Sequence, residues 1–417
     1  MQHTLFKTLL KLVLILPLFL LSACLTKDAP GDAPKNFVVT PGDGRVTITW
    51  DDDPGLTYWV FSARASKITP DDYASFPEAR LLWPVRSGLV ITGLTNGQTY
   101  AFTINATRDG SPASPAAPSV AVVPRLAGDS WVAGGTAGSN HLNEALNLSG
   151  LIVAVGDAGA LYTTVLGDTW TARVSGSTVN LRSALYDGAR LLVVGDNGTA
   201  RMSTDFLATA PTWKSTNTGT AVRLNSVMLS GSTYVAVGAN GTILTGVGAT
   251  DTTTTPNTAT ITWTARTSGT TANLNKVAYQ NGKFIALGDA GTILTSPDAI
   301  TWTAQVSGST ANLRDIAGVL VNDVASYVVV GSAGTILRSA DLTTWVAEAS
   351  GSTADLNAIA LGSRLMIAGA GGTLLYGTGN SSWTVKSTGL AGDVYDLVRA
   401  DGGYIAIGAN GSNSRAF

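Results

Sequence analysis

The residues best suited to chemistry form a column that recurs seven times in the C-terminal part of the chain. Asn143, Arg182, Asn225, Asn275, Arg314, Asn357 and Tyr395 each directly follow an aliphatic residue standing eleven positions after a tryptophan. Being polar in every repeat, they could ring a ligand with donors and acceptors. The architectural reading is that Asn and Arg side chains satisfy backbone groups between neighbouring units, and the repetition itself favours it. Other chemistries fail for want of residues. Cys24 is the only cysteine, and His3 and His141 are the only histidines. No intramolecular disulfide can form, and His-ligated metals or a Ser-His triad have almost nothing to draw on. Gly-x-Ser-x-Gly, His-Glu-x-x-His, Walker and haem-attachment motifs are absent. Asp51-Asp52-Asp53 and Asp71-Asp72 could meet calcium but lack the spacing of a binding loop. No cofactor is expected.

The elements that position this column must come from a turn-rich chain. Charged residues make up 13% of the 417, against about 25% in typical domains. The 47 glycines exceed the roughly 29 that average usage supplies. Net charge is −2, and loss of residues 1–23 would remove Lys7 and Lys11 and give −4. Nucleic-acid binders carry basic faces, so no nucleic-acid partner is expected.

Residues 1–23 read as a signal peptide: Lys7 and Lys11, an apolar stretch from Leu12 to Leu21, then small residues. Ten uncharged residues fall short of the roughly 20 a spanning helix needs. The stretch ends in Leu21-Ser22-Ala23-Cys24, which resembles the bacterial lipobox. That resemblance implies acylation of Cys24, with a lipidated tether over 24–35. With Leu25 in place of a retaining aspartate, it implies an outer-membrane lipoprotein, periplasmic or surface-exposed.

From 36 to 126 short β-rich runs alternate with Pro-Gly turns, as in Val46-Thr47-Ile48-Thr49-Trp50 and Thr57-Tyr58-Trp59-Val60-Phe61. Trp50, with Leu94 and Tyr100 six apart across Asn96-Gly97, resembles a fibronectin type III domain and its tyrosine corner. The three are expected in its core, and the domain in the role of a stiff spacer.

From 127 to 417 the chain repeats. Trp131, Trp170, Trp213, Trp263, Trp302, Trp345 and Trp383 precede Leu142, Leu181, Leu224, Leu274, Leu313, Leu356 and Val394 at constant spacing. Each unit then reaches a Gly-x-x-Gly turn, from Gly156 to Gly408, between apolar runs, the glycines being expected to supply positive φ. Four strands per unit of about 40 residues predict a propeller blade. The all-β chain is thus a β-sandwich followed by a seven-bladed β-propeller. The last unit lacks a Trp strand and Trp131 precedes the first, so a strand exchange between the termini should close the ring.

Ser296-Pro297-Asp298-Ala299-Ile300-Thr301-Trp302 and Ser339-Ala340-Asp341-Leu342-Thr343-Thr344-Trp345 resemble the Asp-box of sialidase-like propellers without its glycine. In that family the box is a structural turn. The hairpins, such as Val235-Ala236-Val237-Gly238 followed by Thr242-Ile243-Leu244, resemble the propellers of the photosystem II assembly-factor family. Fold does not fix function, and the N-terminal domain departs from that family's pattern. The expectation is a non-catalytic, lipid-anchored envelope scaffold whose propeller recognises an envelope or extracellular protein, or a glycan. A diverged sialidase-like hydrolase or lyase is the alternative, but no motif assembles Arg182, Arg223 and Arg314, and Tyr395 has no identified Glu partner. A structural part of a surface layer, pilus or matrix is a third reading. The loop from Gly246 to Thr260, with Thr252-Thr253-Thr254-Thr255-Pro256, reads as a surface excursion.

Overall fold

A computed structural model describes residues 28–108, 113–249, 260–321, 324–377, 382–400 and 402–416. Cys24 with its lipobox, and the threonine run 252–255, lie outside the described residues. The chain divides into two compact units, Met1–Leu126 and Ala127–Phe417. No helix among the described residues is long and apolar enough to cross a membrane.

The first unit packs two sheets. β1 (Val38–Gly42), β2 (Arg45–Thr49) and β5 (Leu89–Thr92) form one; β4 (Arg80–Val85), β3 (Thr57–Ala63), β6 (Tyr100–Thr107) and β7 (Val120–Val122) form the other in that order. Strand alternation sends Val46 and Ile48 inward against Trp50, Tyr58, Leu94, Tyr100 and Ile104. The Tyr100 hydroxyl accepts the Thr95 N–H at 3.1 Å and donates to Glu78 at 2.5 Å, which pins the loop ahead of β6.

The second unit contains seven four-stranded antiparallel sheets, called blades 1 to 7 in chain order. Their first strands are Leu142–Leu148, Leu181–Tyr186, Leu224–Ser230, Leu274–Gln280, Leu313–Val321, Leu356–Leu361 and Val394–Ala400. Each touches the next, and that of blade 7 touches that of blade 1, so the sheets close into a propeller around a central channel. In every second strand the four residues before the closing glycine are apolar and buried, because both faces are covered. In blade 3, Tyr234 and Ala236 pack on blade 2 while Val235 and Val237 pack on Leu274, Val277 and Phe284 of blade 4. At about 1.5–3 kcal/mol per fully buried aliphatic side chain, these interfaces carry the fold. Blade 7 takes its fourth strand from the start of the unit: β8 (Val132–Ala133) pairs with Asn413–Ala416, Ala133 opposite Ser414. The expected exchange between termini is present.

The hairpin turns differ from the sequence expectation. The first glycine of each Gly-x-x-Gly is extended, with φ near −165° in blades 1 and 3. Its role is steric: a Cβ on Gly156 would lie 2.0 Å from the His141 carbonyl oxygen, and one on Gly369 1.9 Å from that of Asp355. Positive φ falls on the second glycine, and on the residue before it, such as Ala158, Asn197 and Asn240. Fourth strands also start past their tryptophan in most blades, as Thr303–Gln305 follows Trp302.

Candidate functional site

Three positions around the conserved aliphatic residue, one just before it and two just after it, face the channel mouth, and each does a bridging job. The residue before the conserved aliphatic accepts a backbone N–H from the turn of the preceding blade. Asn180 takes that of Ala158, Asn273 that of Asn240, Asn312 that of Ala290, Asp355 that of Ala333 and Asp393 that of Gly371, at 2.9–3.1 Å. His141 Nδ1 does the same for Asn410 at 3.2 Å. These donors sit in left-handed or glycine turn positions, where no ladder partner is available, so the neighbouring blade satisfies them.

Arg223 is the exception. A guanidinium cannot accept, and no described hydrogen bond reaches the Asn197 N–H it would serve. Its side chain is exposed at the mouth and makes no described hydrogen bond or ion pair with protein.

The predicted column comes next. Asn143, Asn225, Asn275 and Asn357 donate through Nδ2 to the carbonyl of the aliphatic residue in the next blade, Leu181, Leu274, Leu313 and Val394, at 2.7–3.0 Å. The architectural duty is therefore what these four asparagines perform. Arg182 instead pairs with Asp196 at 3.2 Å and approaches Asp157 at 3.6 Å. Arg314 binds Asp355 at 2.7 Å and also donates to Asn357. The Tyr395 ring meets His141 edge-on at 5.6 Å. Burial, then the charges of Asp393 and Asp157, push its phenol up.

Two residues past the aliphatic lies a row that sequence reasoning missed. Glu144, Ser183, Ser226, Asp315 and Asp396 accept the N–H of Ala184, Val227, Val277, Ile359 and Ala145 in the following blades, at 2.8–3.2 Å. Asp396 thereby stitches blade 7 to blade 1. Carboxylate, hydroxyl and amide oxygens all accept equally well, so this row shows no common residue type. In blade 4 the position is Lys276, whose Nζ lies 2.9 Å from Glu144 and 3.7 Å from Asp315. Burial alone would pull this amine down, but Asp315, Glu144 and Asp396 hold it well above its usual value. Burial pushes Asp315 up against the pull of Lys276. Burial likewise raises Asp396, and with Glu144 and Asp315 adding repulsion against the pull of Lys276 it reaches about 7.

All seven predicted column residues line one cavity of about 490 Å³ at this mouth, together with His141, Asp157, Arg223, Asp289 and the Lys276 cluster. Arg182, Arg223 and Arg314, which no motif united, share it. Acids and arginines do cluster here, yet most are engaged with one another or with backbone N–H groups.

The boxed aspartates are turn formers. Asp298 accepts the N–H of Ile300 and Thr301, and Asp341 those of Thr343 and Thr344, at 2.8–2.9 Å. These bonds hold both carboxyls below the usual range. Asp205 makes a comparable turn with Ser203 and Thr212 in blade 2. That box is hidden in the sequence because four more residues separate its aspartate from Trp213 than separate Asp298 from Trp302. Asp52 pairs with Arg86 and Asp72 accepts the Thr69 N–H; no cluster of three or more metal-ligating side chains exists among the described residues.

No family model and no curated protein matches the chain. Among solved structures it is similar to YCF48 bound to a D1 peptide, with a TM-score of 0.54 and 14% identity over 70% of this chain and 96% of that one. YCF48 from Cyanidioschyzon merolae gives 0.53 and 16% over 69% and 98%. Identities this low establish the propeller fold.

Proposed function

We propose that the chain is a non-catalytic, lipid-anchored envelope scaffold that holds a polypeptide partner at the mouth of a seven-bladed propeller, through an acidic group of that partner. The observation that carries this reading is Arg223. Six blades place an acceptor at its position and use it to fasten a neighbour; blade 3 places an exposed guanidinium with no described partner there instead. Arginine matches a carboxylate in charge and in its forked donor geometry. The fold neighbour whose complex contains a D1 peptide supports a peptide as the ligand class. Against the hydrolase reading, Glu144, Asp315 and Asp396 each spend an oxygen on a neighbouring blade's N–H. The lipid anchor rests on Leu21 to Cys24, and the unit over 36–126 serves as a fibronectin type III-like spacer.

The test is Arg223→Asn, which removes the guanidinium and supplies the acceptor that three other blades use. Binding and stability should move in opposite directions. Capture of a stoichiometric partner from envelope extracts should fall at least tenfold, while the melting temperature holds or rises. Unchanged capture would refute the assignment. A glycan array run alongside, with turnover abolished by Asp396→Asn, would favour the hydrolase.

A further inference from the structure

The outer rim of blade 3 differs from the others in a way the mouth does not explain. The outermost strands of the other six blades are short: Thr171–Ala172, Lys214–Ser215, Thr303–Gln305, Val346–Glu348, Thr384–Ser387 and Val132–Ala133. Blade 3 ends in Thr260–Arg266, seven residues that pair rung for rung with Ile243–Ala249. At about 3.4 Å per residue it offers roughly 24 Å of edge, against at most about 14 Å elsewhere. An antiparallel strand turns every second N–H and C=O away from its partner. Among the described residues, no hydrogen bond joins the backbone of 260–266 to anything but the strand Ile243–Ala249.

Natural sheets blunt such edges with shortness, proline or charge. The other six blades use shortness. Thr-Ile-Thr-Trp-Thr-Ala-Arg uses none of these before its last residue, and Arg266 turns back to donate to Thr245 at 2.8 Å. Thr262, Thr264 and Ala265 are exposed. The same strand also walls a groove of about 940 Å³. The groove is lined by Trp263, Ala265 and the loop Thr267–Thr271 on its own blade, and by Thr218, Gly219 and Thr220 of blade 2. The Trp263 indole is fixed across it, donating to Thr216 of blade 2 at 2.9 Å. Gly246 makes room for the ring, since a Cβ there would lie 2.9 Å from it.

We propose that Thr260–Arg266 is a docking edge on which an extended segment of a partner polypeptide adds as a fifth strand, with alternate side chains entering the Trp263 groove. Open main-chain donors and acceptors call for another extended backbone, and a pocket beside them reads the side chains. A single strand is the occupant because the groove runs between blades 2 and 3. A second propeller, bringing a whole sheet to this rim, would bridge over it. Arg266 is the only ionisable residue lining the groove, and its Nε is already engaged by Thr245, so the segment faces the groove with small polar or apolar side chains and no basic one. This edge is separate from the channel mouth and does not depend on Arg223.

The experiment selects displayed seven-residue peptides on the mature protein and re-measures the winners on Thr262→Lys/Thr264→Lys, whose changes are on exposed side chains. Supporting results are a loss of at least tenfold on the double lysine variant at unchanged melting temperature, no loss on Arg223→Asn, and loss on N-methylation at every second peptide position. Slowed exchange at alternate amides of 260–266 would accompany them. The proposal is overturned if selected peptides bind both proteins equally, if none is selected, or if the protein dimerises with those amides protected.

Discussion

Replacing Lys276 by Met tests the electrostatics of the channel most directly. Among the described residues the ammonium is the only cation paired with a group of three carboxylates delivered by blades 1, 5 and 7, with Glu144 at 2.9 Å and Asp315 at 3.7 Å. Removing one partner of a buried ion pair costs about 3–5 kcal/mol, because the other charge stays buried and uncompensated. About a quarter of the Lys276 side chain remains open to channel water, which places the expected loss at the lower end, about 3 kcal/mol. At about 2 °C per kcal/mol for a unit of this size, calorimetry of the mature protein at pH 8 should show one transition falling by about 6 °C. The loss must shrink at pH 5, where the raised pKa of Asp396 lets a proton replace the missing ammonium. A loss below about 1 kcal/mol at pH 8, or one equally large at pH 5, would refute the reasoning.

Asp396 also sets a pH dependence with an unusual sign. Its folded-state pKa of about 7 lies above the unfolded value of about 3.9, so the native state holds more protons between them. Stability from this group is greatest below about pH 4 and is lost as pH rises to about 7. Asp396→Asn, which keeps an oxygen for the Ala145 N–H, should flatten that slope in melting curves taken from pH 4 to 8; an unchanged slope counts against the assignment. Gly369→Ala should destabilise by about 2 kcal/mol or more through backbone displacement, because its Cβ would meet the Asp355 carbonyl oxygen at 1.9 Å. A melting temperature within 1 °C of the parent's would contradict the steric argument.

Packing positions were legible in the sequence because packing demands residue types. Only an aliphatic side chain fills the site of Leu142, Leu181 and their equivalents, so the column repeats visibly. The polar rows that bridge blades were only partly legible. A residue that must donate to a carbonyl while leaving room in a narrow channel is readily an asparagine, and four blades agree. A residue that must accept an N–H is free to be Asn, Asp, His, Ser or Glu. Those rows look random until the bonds are seen, and Arg223 and Lys276 stand out only against that shared duty. The turn glycines were located correctly but for an incomplete reason, since close approach of backbone, as at Gly156, leaves the same mark in sequence as positive φ.

The pairing of Ala133 with Ser414 has a consequence for biosynthesis. The partners are 281 residues apart (414 − 133), so the strand that completes the last blade is among the first parts of the propeller to leave the ribosome. At about 5–20 residues per second, it waits roughly 15 to 55 s for its partner. Six blades can form in order during that time, but the ring stays an open crescent until Asn413–Ala416 has been made. A chain cut just before Asn413 therefore loses the clasp along with a strand, and exposes the interfaces of blades 1 and 7 together.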